Sequence, residues 1–179
     1  MNRKMRIGCL GPHTNSALAA EKAANIGDQV VFFDSMLDVL LALAKNLTDR
    51  IVVPVRNSIT GEISYKGVAE RMGLRRTEES REIIIPINHC IASRGADVGF
   101  VLSHREALAQ CTGYLNERFP TAYRGEMAST GEAARFIAEV SSNNGAAIAG
   151  LPTCLHYRLR VIDTEIAKNN YSTFWVFQR

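Results

Sequence analysis

The sequence predicts an α/β fold, because short apolar runs that suit strands alternate with segments in which apolar residues recur at helical spacing. Such alternation favours largely parallel sheets, with ligands bound at the carboxyl ends of strands and at helix N-termini. The 179 residues, 46% of them hydrophobic and 22% charged, suffice for one substantial core or two small lobes. This composition excludes disordered and collagen-like proteins.

The first half of the chain predicts three strands, each followed by a helix. Ser35 and Asp38 stand at capping-box spacing and mark the start of the second helix. The predicted strands cover residues 6–10, 30–33 and 51–55, the predicted helices cover residues 15–26, 37–47 and, more weakly, 65–72, and the third strand is followed by a loop over residues 56–61.

A polar, charged segment over residues 75–81 interrupts the hydrophobic periodicity and predicts a boundary between two lobes. Capping boxes that begin at Ser103 and Ser129 each open a helix. The residues of the second helix that are expected to face inward are Ala133, Phe136, Ile137 and Val140. The other elements predicted here are strands over residues 83–87, 98–102, 146–149 and 172–177 and a short helix over residues 151–157.

Cysteine usage favours a cytoplasmic protein, and the small positive net charge is compatible with an anionic substrate, although a solvated surface also explains most of the charges. The net charge of +3 comes from 21 basic and 18 acidic residues spread along the chain, so no nucleic-acid partner is expected. Cys9, Cys90, Cys111 and Cys154 form no Cys-x-x-Cys pair, which favours buried free thiols in a reducing compartment. Because no apolar stretch resembles a signal peptide or spans a bilayer, no membrane partner is expected either.

Hydroxyl side chains stand where three predicted helices begin, at Thr14 and Ser16, at Ser103, and at Ser129 and Thr130. A helix N-terminus offers free N–H groups and the positive end of the helix dipole, which suit a carboxylate. The alternative is that Ser103 and Ser129 serve only as N-caps. Several such termini at one cleft would favour a binding site.

Motifs for other chemistries are missing from the sequence. Gly11 lacks the partners of a dinucleotide fingerprint, and neither a Walker loop nor a Gly-x-Ser-x-Gly elbow occurs. His13, His89, His104 and His156 lack the spacing of zinc ligands, so no metal or cofactor is expected. His89, late in an apolar strand, is predicted to be a hydrogen-bonded core or rim histidine.

Six segments together resemble the catalytic domain of prephenate dehydratase, over about residues 6–177. The strongest is residues 103–111, similar to the family's Ser-His-x-x-Ala-x-x-Gln-Cys. The others are residues 7–16, similar to Gly-Pro-x-Gly-Thr-Phe-Ser; 52–61, similar to Val-Val-Pro-Ile-Glu-Asn-Ser-x-x-Gly; 85–90, similar to Leu-Pro-Ile-x-His-Cys; 129–134, similar to Ser-Thr-x-x-Ala-Ala; and 169–174, similar to Asn-Asn-Tyr-Thr-Arg-Phe.

The resemblance implies two lobes of periplasmic-binding-protein type II topology around a central cleft, residues 1–79 with 162–179 in the first and residues 80–161 in the second. In the family this cleft holds prephenate, a dicarboxylate that loses carbon dioxide and hydroxide to give phenylpyruvate. Carried over by position, the expected catalytic residues are Asn57, Ser103, Gln110 and Ser172, the last in place of a threonine. The expected substrate-binding residues are Thr14, Ser16, Arg56, Ser58, His104, Ser129, Thr130, Thr173 and Phe174. The family also implies a homodimer or homotetramer and no cofactor.

Two departures from the family motifs concern charge. Arg56 stands where the family has Glu, and Thr173 stands where it has Arg. We hypothesise that Arg56 supplies, from the opposite lobe, the carboxylate interaction that Thr173 cannot make, because a guanidinium suits bidentate binding. The alternative is that Arg56 points to solvent and the site has decayed. The chain also stops after its closing strand, so feedback control by the family's ACT domain is expected to be absent and a specialised pathway is favoured.

Three functions remain open on this sequence. The first is a lyase that acts on prephenate or a close analogue, which the Ser172 hydroxyl favours. The second is a prephenate decarboxylase that leaves the ring non-aromatic, which the altered charges favour. The third is a non-catalytic protein that binds small anions in its cleft, against which the residues Asn57, Ser103 and Gln110 weigh mildly.

Overall fold

The computed structural model describes residues 4–12, 14–77, 82–140 and 142–179. Two compact units divide the chain: Met1–Ile87 with Tyr171–Arg179 form the first, and Asn88–Asn170 form the second. The first predicted lobe boundary, at residues 79/80, lies outside the described residues, and the second was predicted at residues 161/162. The division follows strand pairing, because each unit contains one of the two sheets.

Helices and strands alternate along the chain, which confirms the predicted α/β class. In chain order they are β1 (Arg6–Leu10), α1 (Asn15–Ala23), β2 (Gln29–Phe33), α2 (Met36–Ala44), β3 (Arg50–Asn57), β4 (Gly61–Glu62), α3 (Tyr65–Arg71), β5 (Arg75–Arg76), β6 (Ile83–Pro86), β7 (His89–Ser93), β8 (Phe100–Ser103), α4 (Arg105–Gln110), α5 (Thr112–Arg118), β9 (Tyr123–Glu126), α6 (Thr130–Glu139), β10 (Gly145–Gly150), α7 (Leu151–His156), β11 (Arg160–Asp163) and β12 (Tyr171–Gln178).

The sheet of the first unit has the order β2-β1-β3-β12-β5, with β6 also paired to β12 and β4 to β3. β1 is parallel to β2 and β3, whereas β12 is antiparallel to β3, β5 and β6. Val52 packs with residues of α1 in one core cluster, and its neighbours Ile51 and Val53 pack with residues of α2 in another. Helices therefore cover both faces of this sheet, as alternate strand residues require.

A β-bulge interrupts the pairing of β3 with β12. The register passes from Thr173 opposite Arg56 to Phe174 opposite Pro54, so Val55 is an extra residue on β3. Pro54 lacks an N–H and is tolerated at such an irregularity. Because of the extra residue, the side chains of β3 that follow it point to the opposite faces of the sheet from those they would otherwise occupy. Asn57 therefore lies opposite Ser172, on the same face.

The sheet of the second unit has the order β11-β7-β10-β8-β9. β10 is antiparallel to β7 but parallel to β8, and its residues Gly145 to Ala149 are buried. A Cβ atom at Gly145 would lie 2.5 Å from the ring of Phe100, so glycine at this position leaves room for that ring. This unit has two core clusters. One includes residues of α6, and the other includes residues of α4 and α5.

All four cysteines are free and buried, as predicted. Burial raises the pKa of Cys9 and of Cys154 to about 11 and that of Cys111 to about 12, and it also raises the pKa of Cys90. These thiols therefore stay protonated near neutral pH and belong to the cores.

Four expectations about the elements were wrong. The sheets are mixed and not largely parallel, because β12 and β7 return in the opposite direction. The loop expected at residues 56–61 begins later, because pairing with β12 extends β3 to Asn57. Phe136 is 42% exposed, because the inward face of α6 is formed by Ala133, Ala134 and Ile137. Finally, α4 is capped by His104 and not by Ser103.

The apolar run that continues past residue 83 splits between the two sheets. Ile83–Pro86 pair with β12 in the first unit, and His89–Ser93 pair with β10 and β11 in the second. Hydrophobic periodicity alone does not reveal this division, because both strands are apolar. Strands β4, β5, β9 and β11 were also missed, since each is short and polar.

Candidate functional site

The side chains of Asn57 and Ser172 form a buried pair in the first unit. They lie opposite each other where β3 and β12 are paired, and they are 1% and 7% exposed. Asn57 Nδ2 donates hydrogen bonds of 3.1 Å to Ser172 Oγ and to the carbonyl oxygen of Tyr171. Two predicted catalytic residues that are 115 positions apart are thus brought into contact.

The loop after β3 fixes the orientation of the Asn57 carboxamide. Its Oδ1 accepts hydrogen bonds from the backbone N–H groups of Ile59, at 2.9 Å, and Thr60, at 3.1 Å. Gly61 closes the loop with φ +83°, in the left-handed region that glycine adopts without strain. With Oδ1 engaged in this turn, Nδ2 must face β12, so Asn57 acts here as a donor.

The Ser172 hydroxyl keeps its own proton available. Its oxygen accepts from Asn57, and among the described residues no acceptor takes the hydroxyl hydrogen at hydrogen-bond distance. A hydroxyl that is held as an acceptor on one side points its O–H elsewhere. The pair can therefore donate a hydrogen bond to an oxygen atom placed beside Ser172.

Arg56 and Thr173 face each other across the same two strands. The hypothesis that Arg56 acts from the opposite lobe was wrong, because both residues belong to the first unit. Arg56 is exposed and Thr173 is buried at 7% exposure. Glu62 is the register partner of Arg56 on β4, yet no ion pair joins them in the described part of the chain. One guanidinium therefore stands beside the position at which the family motif has its arginine.

Other predicted binding residues of the first unit have structural partners. Thr14 is the N-cap of α1 and donates to the carbonyl oxygen of Leu10 at 2.7 Å. Ser16 is 4% exposed, and its Oγ accepts from the N–H of Leu10 at 3.3 Å. Ser58 Oγ accepts from the N–H of Tyr171 at 2.9 Å, which ties the loop after β3 to β12.

Gln110 lies at the centre of a polar cluster in the second unit. It is the last residue of α4, and its Oε1 lies 2.8 Å from His89 Nε2 and 2.8 Å from Asn170 Nδ2. His89 is 9% exposed and Asn170 is 5% exposed. Burial lowers the pKa of His89, with a smaller opposing effect from the Gln110 hydrogen bond, so the ring is neutral near neutral pH.

Ser103 and His104 have different hydrogen-bond partners within the second unit. Ser103 is fully buried, and its hydroxyl donates to the carbonyl oxygen of Ile148 on β10 at 2.7 Å. His104 is the N-cap of α4, and its Nδ1 accepts from the N–H of Glu106 at 3.3 Å. The structure thus gives Ser103 a place between two strands of the sheet, and its catalytic role stays a prediction.

Of the remaining predicted residues, Ser129 and Thr130 lie at the start of α6 and Phe174 lies in the core. Ser129 is the N-cap of α6 as predicted, and its Oγ accepts from the N–H of Glu132 at 3.0 Å, with Thr130 the first residue of the helix. Phe174 is 3% exposed and packs in the same core cluster as Val52. Core packing accounts for the position of Phe174, while binding by Ser129 and Thr130 stays a prediction.

The sequence did not predict a role for Asn170, and for His89 it predicted only a hydrogen-bonded core or rim histidine without a partner. Both residues lie inside segments that resemble the family, at residues 169–174 and 85–90, and this was the signal that could have found them. Their contact with Gln110 joins three separate segments of the chain, so no local pattern shows it. The prediction of a hydrogen-bonded histidine at position 89 is confirmed.

Metal-binding clusters and membrane-spanning helices do not occur among the described residues. Within these ranges, no group of three or more His, Cys, Asp and Glu side chains is placed to hold a metal ion. Of the helices that can be described, none is long and apolar enough to cross a membrane. His13 lies outside the described residues.

The sequence matches a family model described as prephenate dehydratase over residues 7–179. The prephenate dehydratase of Lactococcus lactis subsp. lactis is 27% identical over 176 residues, covering 96% of this chain and 63% of the relative. The bifunctional chorismate mutase/prephenate dehydratase of Neisseria gonorrhoeae is 30% identical over an alignment of 183 residues, covering 98% of this chain and 50% of the relative. The chain thus spans 50–63% of the length of these relatives.

Solved structures show the same fold. The prephenate dehydratase from Staphylococcus aureus aligns with a TM-score of 0.70 and 27% identity, covering 97% of this chain and 66% of that chain. A putative methionine-binding lipoprotein from Bacillus subtilis aligns with a TM-score of 0.62 and 11% identity, covering 98% and 83% of the two chains, which shows the fold alone. The predicted periplasmic-binding-protein type II topology is confirmed by these likenesses.

Proposed function

The chain belongs to the prephenate dehydratase family, and on this premise we propose that it is a carbon–oxygen lyase acting on prephenate or a close analogue. The product is an aromatic keto acid, formed by decarboxylation and dehydration together. The observation that carries the proposal is the Asn57–Ser172 pair, in which an oriented carboxamide donates a hydrogen bond to a buried hydroxyl.

The reaction needs little from the protein beyond positioning and one hydrogen bond. The bond from the ring to its carboxylate breaks, and the electron pair of that bond enters the ring as carbon dioxide leaves. The carbon–oxygen bond on the opposite side of the ring breaks at the same time, and the oxygen leaves with its electron pair and takes up a proton to become water. Aromatisation supplies the driving force, so neutral donors suffice for the departing oxygen.

Ser172 is proposed to donate the hydrogen bond that assists the departing hydroxyl. A serine hydroxyl is a weak acid, so the proton that completes water comes ultimately from solvent, relayed through Ser172. Asn57 Nδ2 donates to Ser172 Oγ and withdraws electron density from it, which makes the O–H a better donor. The loop that orients Asn57 prevents the carboxamide from reversing this arrangement.

Arg56 is proposed to bind a substrate carboxylate. Its exposure, its position opposite Thr173 and the lack of an ion pair with Glu62 among the described residues support this role. A guanidinium offers paired donors that match a carboxylate. The exchange of the family's Glu and Arg for Arg56 and Thr173 keeps one cation at this point of the sheet, opposite Thr173.

The test is incubation of the purified protein with prephenate, followed by ultraviolet absorption and mass analysis of the products. An aromatic keto acid with loss of carbon dioxide and water supports the proposal. A decarboxylated, non-aromatic product indicates a decarboxylase, and prephenate recovered intact indicates a binding protein or another substrate. Either of these two results would overturn the proposal.

We further propose a cytoplasmic homodimer or homotetramer in the biosynthesis of phenylalanine or of an aromatic secondary metabolite. Four buried free thiols support a reducing compartment. Size-exclusion chromatography with light scattering tests the oligomeric state. A monomer at micromolar concentration would contradict it.

A further inference from the structure

We infer that His89 and Asn170 are positioning residues that lock the carboxamide of Gln110 with its carbonyl inward and its two N–H groups toward the ligand. The inference rests on the proposed function and on the expectation, implied by the family resemblance, that Gln110 contacts the dicarboxylate substrate. It adds two residues and a defined amide orientation to the polar cluster around Gln110.

The contacts at Gln110 Oε1 define this orientation. Asn170 Nδ2 can only donate, and it lies 2.8 Å from Oε1. His89 Nε2 lies at the same distance from Oε1, so the neutral ring carries its proton on Nε2. Two donors therefore converge on one oxygen atom, and both of its lone pairs are used.

The other end of the carboxamide is left for the ligand. Gln110 is only partly buried, and among the described residues none accepts a hydrogen bond from its Nε2. An unrestrained glutamine can rotate its amide by half a turn and present the carbonyl, which repels a carboxylate. Fixing Oε1 inward removes this alternative before the ligand arrives, and such preorganisation increases affinity.

His89 and Asn170 act only through Gln110. They are 9% and 5% exposed, so their side chains have little surface to offer a ligand. The backbone of His89 is held by register pairing with Gly150, and its carbonyl accepts from the N–H of Ile166. The ring is therefore placed by the sheet, and its Nε2 proton reaches Gln110 from a fixed point.

One alternative arrangement satisfies the same distances. If both carboxamides were turned over, Gln110 Nε2 would donate to His89 Nε2 and to Asn170 Oδ1, and the histidine proton would lie on Nδ1. The tautomer of His89 therefore reports the amide orientation directly. Ring ¹⁵N chemical shifts of the ligand-free protein distinguish the two tautomers, whatever substrate the protein takes. A proton on Nε2 supports the inference, and a proton on Nδ1 overturns it.

The substitution Asn170→Asp tests the coupling to binding. A carboxylate at position 170 repels Gln110 Oε1 and attracts Nε2, so the amide should turn its carbonyl outward. Prephenate affinity measured by calorimetry should fall at least about tenfold, the range for a hydrogen bond to a charged group. Asn169→Asp adds the same charge one residue away on an exposed turn and is the matched control, with affinity expected to stay within about twofold.

A double-mutant cycle separates positioning from a general structural effect. In a Gln110→Ala background, Asn170→Asp should cause no further loss of prephenate affinity, because the amide on which it acts is gone. An equal loss in both backgrounds would overturn the inference. Should prephenate not be the ligand at all, the tautomer of His89 still decides the amide orientation, so failure of the proposed function and failure of this inference remain distinguishable.

Discussion

In the proposed site, Ser172 would take the role that a threonine has in the family. The family's threonine and this serine present the same hydroxyl, but threonine restricts its side-chain rotamers more strongly within a strand. Here Asn57 supplies the restriction, by a 3.1 Å hydrogen bond to Oγ. The hydroxyl is therefore held without the additional methyl group.

Ser172→Ala is expected to lower kcat by about 10²–10⁴-fold, the usual contribution of a positioned proton donor. Ser172→Thr keeps the hydroxyl and should retain kcat within about tenfold. The rate of phenylpyruvate formation, followed by ultraviolet absorption, measures both variants. Wild-type kcat in Ser172→Ala would show that the hydroxyl takes no part.

Arg56→Gln removes the guanidinium while keeping much of the side chain. If Arg56 binds a carboxylate, the Kd for prephenate measured by calorimetry should rise by roughly 10–100-fold, as for the loss of a charged hydrogen bond. Arg75→Gln removes the same charge at another exposed position of the first unit and is the control. Unchanged affinity in Arg56→Gln would mean that the guanidinium serves only as surface charge.

At the scale of elements, the hairpin formed by β3 and β4 depends on its turn. Gly61 adopts φ +83°, which costs about 1–2 kcal/mol for a residue with a Cβ atom. Gly61→Ala should therefore lower the free energy of unfolding by about 1 kcal/mol in urea titrations. Gly113→Ala, in open space within α5, should leave it unchanged or raise it by up to about 1 kcal/mol. Equal effects at the two positions would contradict this account of the turn.

Strand β7 makes the stability of the protein depend on pH through His89. Burial lowers the pKa of His89 in the folded protein below its ordinary value of 6.5. The unfolded chain therefore binds more protons, and this contribution to stability is lost as the pH falls from about 6.5 through the folded pKa. His89→Gln should show a smaller loss of unfolding free energy between pH 7 and pH 5 in urea titrations. A slope identical to wild type would contradict the depressed pKa.

At the scale of the molecule, the second unit is a continuous insertion into the first. Residues 88–170 contain all strands of their own sheet, whereas the first unit needs β12 from the end of the chain. Without β12, the first unit loses Phe174, Val176 and Phe177 from its cores. The two units should therefore differ in their ability to fold alone.

A peptide of residues 88–170 is expected to fold in isolation, and residues 1–87 are not. Pro86 and Tyr171 are paired in register, so joining residues 87 and 171 through an Asn-Gly turn should restore the first unit. Far-UV circular dichroism and cooperativity of urea unfolding measure all three chains. Folding of residues 1–87 without β12, or failure of residues 88–170 to fold, would contradict this division.

The sequence by itself determined the alternation of strands and helices, the caps at Ser35 and Ser129, and the buried thiols. Each of these follows from local spacing or from residue type. The resemblance to the family motifs also predicted Asn57, Gln110 and Ser172 as site residues, although local sequence does not show their hydrogen-bond partners. The tight turn at Gly61 lay within one of these motifs.

Only the tertiary structure decided which of these residues meet. The return of β12 beside β3, and the bulge at Val55, bring Asn57 to Ser172 and Arg56 to Thr173. The same is true of His89 and Asn170, which reach Gln110 from segments 21 and 60 residues away. The physical reason is that strand order and register depend on contacts between distant segments, whereas hydrophobic periodicity reports only which face of each segment is buried.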